Sequence, residues 1–192
     1  MVILSMIEPY VAYLLGALAD GGCYKLSYKR KRSEYRCVWT QRELEWLEKS
    51  VVPRLVKLRE KLGIEPKIKV YKGRTRYEAR ISSKALYEYM KNASKELDEA
   101  LKRCSTRVIT YWIRGLYDAE GDKSCKRIRI WSSNKTLLEK VRMGLRCIGI
   151  DSNGPYVDDK RHSVYVLEIP SKHRRKFLII IRPEHPRIIM LT

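Results

Sequence analysis

The sequence of this chain of 192 residues repeats itself, and this constrains its fold more than any other feature. The stretches Tyr13–Gly22 and Tyr111–Asp122 are both apolar, contain small residues and include an alanine, an acid and a glycine in succession. The two acids, Asp20 and Glu120, are 100 residues apart. A repeat of this length predicts a duplicated supersecondary unit, so a fold proposed for one half must also fit the other.

The same order of patterns follows each acid. A strand-like segment carries a tryptophan, Trp39 in the first half and Trp131 in the second, and we match the two and predict that both lie in the core. An amphipathic helix comes next, because apolar residues recur at steps of three and four from Leu44 to Leu62 and from Leu138 to Ile148. Each helix ends at a Gly-Ile pair, which predicts a glycine C-cap, and Pro53 predicts a kink in the first.

A second pair of alternating segments closes each half and leads into a further helix. These segments lie at 67–71 and 76–81 in the first half, and at 155–157 and 164–169 in the second. We therefore predict an α+β fold that is duplicated, with the order helix, two strands, helix, two strands, helix in each copy. The predicted units are an N-terminal subdomain at 1–95, a polar linker at 96–106 and a C-terminal subdomain at 107–192.

The net charge indicates a polyanionic partner. Lys and Arg number 41 against 22 Asp and Glu, a formal charge of +19, while 44% hydrophobic residues are enough for a real core. The chain has no run of about 18 apolar residues and no basic amphipathic helix with an aromatic apolar face, which favours nucleic acid over a membrane. Five cysteines form no Cys-x-x-Cys pair and three histidines lack zinc-site spacing, so we predict packing or surface roles in a reduced, cytoplasmic protein.

The two motifs resemble those of the LAGLIDADG homing endonucleases, specifically the monomeric type with two motifs that archaeal ribosomal RNA introns encode. Gly115–Gly121 matches the motif closely, and Gly16–Gly22 matches it more weakly. The resemblance covers nearly the whole chain, since the strands and later helices recur in order after each motif. It implies a pseudo-twofold αββαββα fold whose two antiparallel sheets form a saddle over DNA.

The resemblance also implies the chemistry. Asp20 and Glu120 would hold Mg²⁺, with two or three divalent ions at the DNA-bound site and Mn²⁺ or Ca²⁺ as substitutes, and the carbonyls of Ala19 and Ala119 are candidate further ligands. Gln41 is similar to the residue that orders water near the metal, and Lys123 to the basic residue that activates water. Ser132 occupies the position that corresponds to Thr40 or Gln41. The implied product is a double-strand break with short 3′ overhangs, which promotes intron mobility.

One departure from the family pattern concerns the spacing within the first motif. Gly115 precedes Glu120 by five positions, whereas Gly16 precedes Asp20 by four. One residue represents about 100° of helix rotation. We therefore expect a displaced helix crossing rather than a different acid.

The alternation of polar and apolar residues places the polar side chains on the outward strand faces, which we assign to DNA recognition. A two-stranded ribbon fits the major groove, and arginine can form two hydrogen bonds with guanine. The implied partner is double-stranded DNA with a long asymmetric site. The candidate DNA contacts are Lys29, Arg30, Arg32, Arg36, Lys67, Lys69, Tyr71, Arg74, Arg76, Glu78, Arg80, Lys126, Arg127, Arg129, Lys160, Arg161 and His162.

Two other functions fit parts of the pattern. An RNA maturase on the same fold would bind folded intron RNA and need not cut. A basic ribosomal or DNA-architectural protein would not need acids at matched positions of the repeat, so the paired acids count against it.

Overall fold

Two helices, one from each repeat, cross at the centre of the computed structural model, which describes residues 7–27, 33–122, 127–159 and 163–189. The first repeat contains α1 (Pro9–Ala17) with a 3₁₀ turn (Leu18–Asp20), β1 (Gly21–Ser27), β2 (Ser33–Gln41), α2 (Leu44–Trp46), a π-helical turn (Leu47–Val51), α3 (Val52–Lys61), β3 (Lys69–Lys72), β4 (Tyr77–Ser82) and α4 (Lys84–Lys102). The second contains α5 (Thr106–Glu120), β5 (Ile128–Ser132), α6 (Lys135–Cys147), β6 (Asn153–Asp159), β7 (Val164–Ile169), α7 (Ser171–Ile181) and α8 (Pro186–Ile189).

The predicted α+β class with two antiparallel sheets is confirmed. Across the described ranges, one sheet has the strand order β1-β2-β4-β3 and the other has the order β5-β7-β6. Gly121 also forms an isolated antiparallel bridge with Ile130 of β5, and residues 123–126 lie outside the described residues. The interval 96–106 holds the end of α4, a short turn and the first residue of α5, and the division into subdomains at this interval remains a proposal.

The long amphipathic helix of the first repeat changes its helix type just before Pro53. The π-helical turn ends at Val51, and Pro53 stands in the first turn of α3, where a missing N–H costs least. The predicted glycine C-caps are confirmed, since Gly63 and Gly149 have φ values of +59° and +70°. The predicted apolar stripe also lies in the core, and its fully buried residues include Leu47, Val51, Leu55 and Leu58.

The crossing of α1 and α5 depends on one glycine from each helix. A Cβ on Gly16 would overlap the carbonyl oxygen of Trp112, and a Cβ on Gly115 would overlap the carbonyl oxygen of Tyr13. The two contacts are related by the pseudo-twofold axis, because the two glycines, like Tyr13 and Trp112, are each 99 residues apart. The crossing is therefore symmetric, and the expectation that the shorter motif displaces it is wrong.

A change of helix type absorbs the missing residue. The first motif ends in a 3₁₀ turn, in which the Gly21 N–H donates to Leu18, whereas the second stays α-helical and Gly121 donates to Tyr117. A 3₁₀ helix rises faster per residue, so the four steps from Gly16 to Asp20 and the five from Gly115 to Glu120 both advance by about 7.5 Å. The tighter turn also leaves a rotational mismatch of only about 40°, against about 100° for four α-helical steps.

Four of the five cysteines form disulfides, which corrects the prediction that they are reduced. Cys23 bonds to Cys37, and Cys104 bonds to Cys147. Cys23 and Cys37 are direct partners in the β1–β2 register, and the end of α6 packs beside the turn that contains Cys104. Neither proximity is visible in the spacing of cysteines along the chain, which is why the prediction failed. Cys125 lies outside the described residues.

Reduction will destabilise the protein, and the Cys104–Cys147 bond will contribute more than the Cys23–Cys37 bond. The two bonds close loops with sequence separations of 43 and 14 residues. We expect losses of about 2–4 kcal/mol in the free energy of unfolding for each bond, with the longer loop at the upper end. Urea unfolding of the Cys104→Ser and Cys23→Ser variants checks this. Equal midpoints for both variants and for the oxidised wild-type protein would contradict it.

A buried hydrogen-bond network joins α1 and α5 to the segment that follows α7. Asp118, which is fully buried, accepts from the Tyr13 hydroxyl at 2.8 Å and from the backbone N–H groups of Glu184 and His185 at 3.0 and 3.2 Å. The Tyr13 hydroxyl in turn accepts from Trp46 Nε1 at 2.9 Å. Burial, with the Asp118 charge beside it, raises the pKa of Tyr13 well above its usual value and keeps this donor protonated. The network fixes α5 two residues before Glu120.

The segment after α7 also reaches back to the first repeat through ion pairs. Glu184 pairs with Arg54 at 2.7 Å and with Arg114 at 3.2 Å, and Arg187 pairs with Glu43 at 2.6 Å. The two repeats are therefore tied together by the last described part of the chain as well as by the helix crossing. Within the described residues, no helix combines the length and apolarity needed to cross a bilayer.

The Asp118→Asn substitution will lower the free energy of unfolding by about 3 kcal/mol. The amide removes a charged acceptor, and its NH₂ group would face the backbone N–H groups of Glu184 and His185, which are also donors. Thermal and urea denaturation measure the loss. Asp98→Asn is the matched control: Asp98 pairs with Lys140 on the surface, where such a pair contributes less than about 1 kcal/mol. If both variants are equally stable, the buried network does not stabilise the fold as argued.

Candidate active site and DNA interface

Consecutive residues of β2 contact the ends of both motif helices. The Thr40 hydroxyl donates to the backbone carbonyl of Asp20, and Gln41 Nε2 donates to the carbonyl of Ala119 at 3.1 Å. Asp20 ends the 3₁₀ turn after α1, and Glu120 is the last residue of α5. The fold therefore brings the two predicted acids into one site, although they are 100 residues apart in sequence.

Gln41 is held by both ends of its amide. It is 6% exposed, and besides its bond to Ala119 its Oε1 accepts from the Arg42 N–H at 2.8 Å. A residue fixed in this way positions the backbone next to Glu120. The structure thus places Gln41 beside the end of α5, and its role in ordering water remains a proposal.

Asp20 is paired with one of the cations predicted to contact DNA. Arg76, in the turn before β4, forms an ion pair with the Asp20 carboxylate through Nη1. The Asp20 side chain is 18% exposed and the Arg76 side chain 43%, so the pair is reachable from solvent. A divalent ion and Arg76 compete for the same carboxylate, because each needs its negative charge.

The strand registers show which residues of the two halves are equivalent. Gly21 is the partner of Trp39, and Gly121 is the partner of Ile130. Ile130 is thus the counterpart of Trp39, and Ser132 is the counterpart of Gln41. Lys123 lies outside the described residues.

The match of Trp39 with Trp131, and the core assignment of Trp131, are both wrong. Trp39 is fully buried, and its Nε1 donates to the Leu14 carbonyl at 3.0 Å. Ile128 and Ile130 face the core, so alternation along β5 turns Trp131 to the outward face of the sheet, where it is only partly buried. The alternation of Arg127, Ile128, Arg129 and Ile130 contained this signal, but the apparent tryptophan match overrode it.

The ligands available at the site are hard oxygen donors. In the part of the chain that the structure describes, no group of three or more His, Cys, Asp or Glu could hold a metal ion. Asp20 and Glu120, with the carbonyls of Ala19 and Ala119, offer carboxylate and backbone oxygens alone, which suit Mg²⁺ when water and substrate oxygens complete the shell. The residues fit a divalent ion that binds together with DNA.

The outward face of the first sheet carries hydrogen-bonding side chains, as predicted. Ala79 and Ile81 are buried, which leaves Glu78 and Arg80 outward on β4, opposite Tyr71 and Lys69 of β3. Arg80 Nη2 donates to the Tyr71 hydroxyl at 2.9 Å, and its guanidinium lies 4.6 Å from the centre of the Tyr71 ring. These contacts fix the Arg80 guanidinium on the outward face.

Other predicted DNA contacts lie on the same outward faces or in their turns. Arg36 pairs with Glu34 at 2.9 Å on β2, and Arg129 pairs with Glu168 at 3.1 Å on the second sheet. Lys67, Arg74 and Arg127 lie beside the strands and are exposed. The predicted contacts outside the described residues are Lys29, Arg30, Arg32, Lys126, Lys160, Arg161 and His162.

Comparison with known proteins identifies the family. Residues 107–182 match the family model of a LAGLIDADG-like domain. The chain is 45% identical to homing endonuclease I-DmoI of Desulfurococcus mucosus, an alignment that covers 91% of this chain and 88% of that protein. The chain belongs to the LAGLIDADG homing endonuclease family. Homing endonuclease I-ApeI of Aeropyrum pernix is 27% identical, with 91% of this chain and 81% of that protein covered.

The LAGLIDADG fold is also found among solved structures. The crystal structure of I-DmoI in complex with DNA and Mn superposes with a TM-score of 0.83 at 44% identity, and covers 92% of this chain and 98% of that chain. A glycine-to-serine variant of I-DmoI has also been solved with its target DNA in the presence of Mg, and I-DmoI itself with DNA and Ca. The N-terminal LAGLIDADG domain of DUF199/WhiA has a TM-score of 0.57 at 15% identity and shares the fold alone.

Proposed function

We propose that this protein is a site-specific homing endonuclease that cuts both strands of double-stranded DNA. One observation carries the proposal: two motif acids from one chain meet at a single site, where Thr40 and Gln41 hold the two helix ends. The site is complete within one chain, which suits a monomer acting on a long asymmetric target. The likeness to I-DmoI over 91% of this chain supports the same substrate class.

The mechanism that this geometry supports depends on oxygen ligands held at the helix ends. Bound divalent ions, two or three Mg²⁺ with Mn²⁺ or Ca²⁺ as substitutes, would supply charge neutralisation at the phosphate, an acidic water and stabilisation of the leaving oxygen. Asp20 and Glu120 would hold them, with the carbonyls of Ala19 and Ala119 as further ligands. Gln41 fixes the backbone beside Glu120, and Lys123 would act on the attacking water.

The DNA would lie against the outward faces of the two sheets, with the acids between them. Arg76 would leave Asp20 for the DNA when a divalent ion binds, which couples substrate and metal binding. The product would be a break with short 3′ overhangs, which promotes intron mobility. We also propose that the protein acts in the cytoplasm on genomic DNA.

Cleavage of an intronless ribosomal RNA gene tests this function. A plasmid carrying the gene is incubated with the protein and Mg²⁺, and the ends are mapped by sequencing. We expect one pair of cuts with 3′ overhangs, which EDTA abolishes. If no candidate insertion site is cut, and Asp20→Asn still assists splicing of the intron RNA, the maturase is the better reading.

A further inference from the structure

The outward face of the second sheet carries an apolar row that the charge-based account of DNA binding does not use. Trp131 on β5 is the register partner of Val166 on β7, and Val166 is the partner of Tyr156 on β6. The three side chains lie on the face opposite Leu167 and Ile169, which are buried in the core. They form one line across the sheet, at right angles to its strands.

The indole of Trp131 is fixed in this position. Its Nε1 donates to Asp158 Oδ2 at 3.1 Å, so the ring reaches from β5 over the middle strand to β6. Val166 is only 8% exposed although it faces outward, since its two neighbours flank it, whereas Tyr156 is 56% exposed. Because the indole N–H is already bonded to Asp158, the ring offers its apolar surface and no free donor.

The corresponding row of the first sheet is chemically different. Trp39 pairs with Gly21, and Ile130 pairs with Gly121. Thr40 and Trp131 are the next residues along their strands, so they correspond. The register then continues from Thr40 to Glu78 and to Tyr71. The first half therefore presents a hydroxyl, a carboxylate and a phenol where the second presents an indole, an isopropyl group and a phenol.

We propose that Trp131, Val166 and Tyr156 form a thymine-reading surface, which recognises 5-methyl groups in the major groove of the half-site under the second sheet. This inference rests on the proposed function. Thymine alone carries an apolar group on its major-groove edge, while the other bases present donors or acceptors. A polar base edge placed against the Trp131 ring would lose its water without gaining a partner, so the row also rejects those bases.

The row also has a defined place in the target. Trp131 lies next to Ser132, the counterpart of Gln41, and Gln41 contacts the Ala119 carbonyl beside Glu120. The row is therefore the part of this outward face that is nearest to the acids along β5. The thymines that it reads would flank the cleavage positions on one side of the target only.

Replacement of thymine by deoxyuridine tests the proposal with the wild-type protein, since deoxyuridine lacks the 5-methyl group and keeps the same hydrogen-bonding edge. The target duplex is first recovered by sequencing the cleaved members of a randomised DNA library. Binding is then measured in Ca²⁺ by gel shift. We expect thymine to be enriched beside the cut in one half-site, and each deoxyuridine there to weaken binding about fourfold, the effect of one buried methyl. Deoxyuridine at matched positions of the other half-site should change binding little.

A pair of threonine variants gives the matched control. Trp131→Thr introduces the residue type of its first-sheet counterpart Thr40, and it should bind the thymine and deoxyuridine duplexes equally. Val38→Thr should keep the wild-type preference, because Val38 faces outward in the first sheet, where its partner is Arg80. Circular dichroism confirms that each variant is folded.

The possible failures are distinguishable. A protein that cuts and binds its target, but shows equal affinity for both duplexes or no thymine preference beside the cut, would overturn the thymine-reading surface and leave the endonuclease standing. A protein that neither cuts nor binds any library member would overturn the proposed function, and the thymine-reading surface with it.

Discussion

Replacing Asp20 by asparagine, or Glu120 by glutamine, will slow double-strand cleavage by at least about 10³-fold, because each change removes a charged oxygen ligand that contributes several kcal/mol of transition-state stabilisation. DNA binding should survive both changes, since neither acid lies on an outward strand face. The loss of the Asp20 charge also releases Arg76, its ion-pair partner, for contact with the DNA. Cleavage is followed as linearisation of a supercoiled plasmid in Mg²⁺. Binding is followed by gel shift in Ca²⁺.

Glu45→Gln is a suitable control for these two variants. Glu45 is an exposed acid on α2 that pairs with Lys49 four residues along the helix, so its loss removes a charge without touching the site. It should cleave at the wild-type rate. If Asp20→Asn or Glu120→Gln also linearises the plasmid at that rate, these acids do not hold the metal, and the ligands must be sought elsewhere.

Replacing Gly115 by alanine will destabilise the protein by about 4 kcal/mol or more, at the upper end of single-substitution effects. The new methyl group would overlap the backbone carbonyl of Tyr13 and crowd the N–H of Ala17, and backbone atoms cannot turn aside as a side chain can. The two motif helices would have to separate along their whole crossing. Gly16→Ala should behave alike, because it meets Trp112 and Leu116 in the symmetric position.

Gly144→Ala separates this steric effect from the general consequence of adding a methyl group to a helix. Gly144 lies within α6, and a Cβ there meets side-chain atoms of Ile109, Leu101 and Ile113 at 3.0–3.3 Å. These groups can shift, and alanine gains up to about 1 kcal/mol of helix propensity over glycine. Urea unfolding should therefore leave Gly144→Ala near the wild type and Gly115→Ala far below it. Equal midpoints would show that the crossing tolerates a wider separation.

The order of helices and strands and the location of the acids could be predicted from the sequence, because the two repeats constrain each other. Asp20 taken alone would be assigned to a turn, but the acid Glu120 at the matched position of the second repeat indicates that both have a functional role. The outward face of β4 was also predictable, since Ala79 and Ile81 alternate with Glu78 and Arg80 and strand side chains have a period of two. On β3 the alternation failed to predict burial, because Val70, predicted to point inward, is 40% exposed.

Contacts between residues far apart in sequence were not predictable. The pairing of Cys104 with Cys147 depends on how α6 packs, and the burial of Asp118 depends on a segment 66 residues later that supplies the Glu184 N–H. The misassignment of Trp131 has a different cause, because a matched residue type was given more weight than a matched strand face. Alternation along β5 gives the face of Trp131, and the bridge of Gly121 with Ile130 shows which residue of the first repeat it matches.

The 3₁₀ turn that ends the first motif shows how a helical motif can lose a residue without losing its function. In a strand, a deletion of one residue would turn every following side chain to the opposite face. In each motif helix the glycine must contact the partner helix, and the acid must lie at the site. The fold therefore conserves the axial distance from the glycine to the acid. A motif of this kind is therefore better described by an axial rise in ångströms than by a fixed number of residues. A search in which glycine precedes the acid by either four or five positions will find copies that a rigid pattern misses.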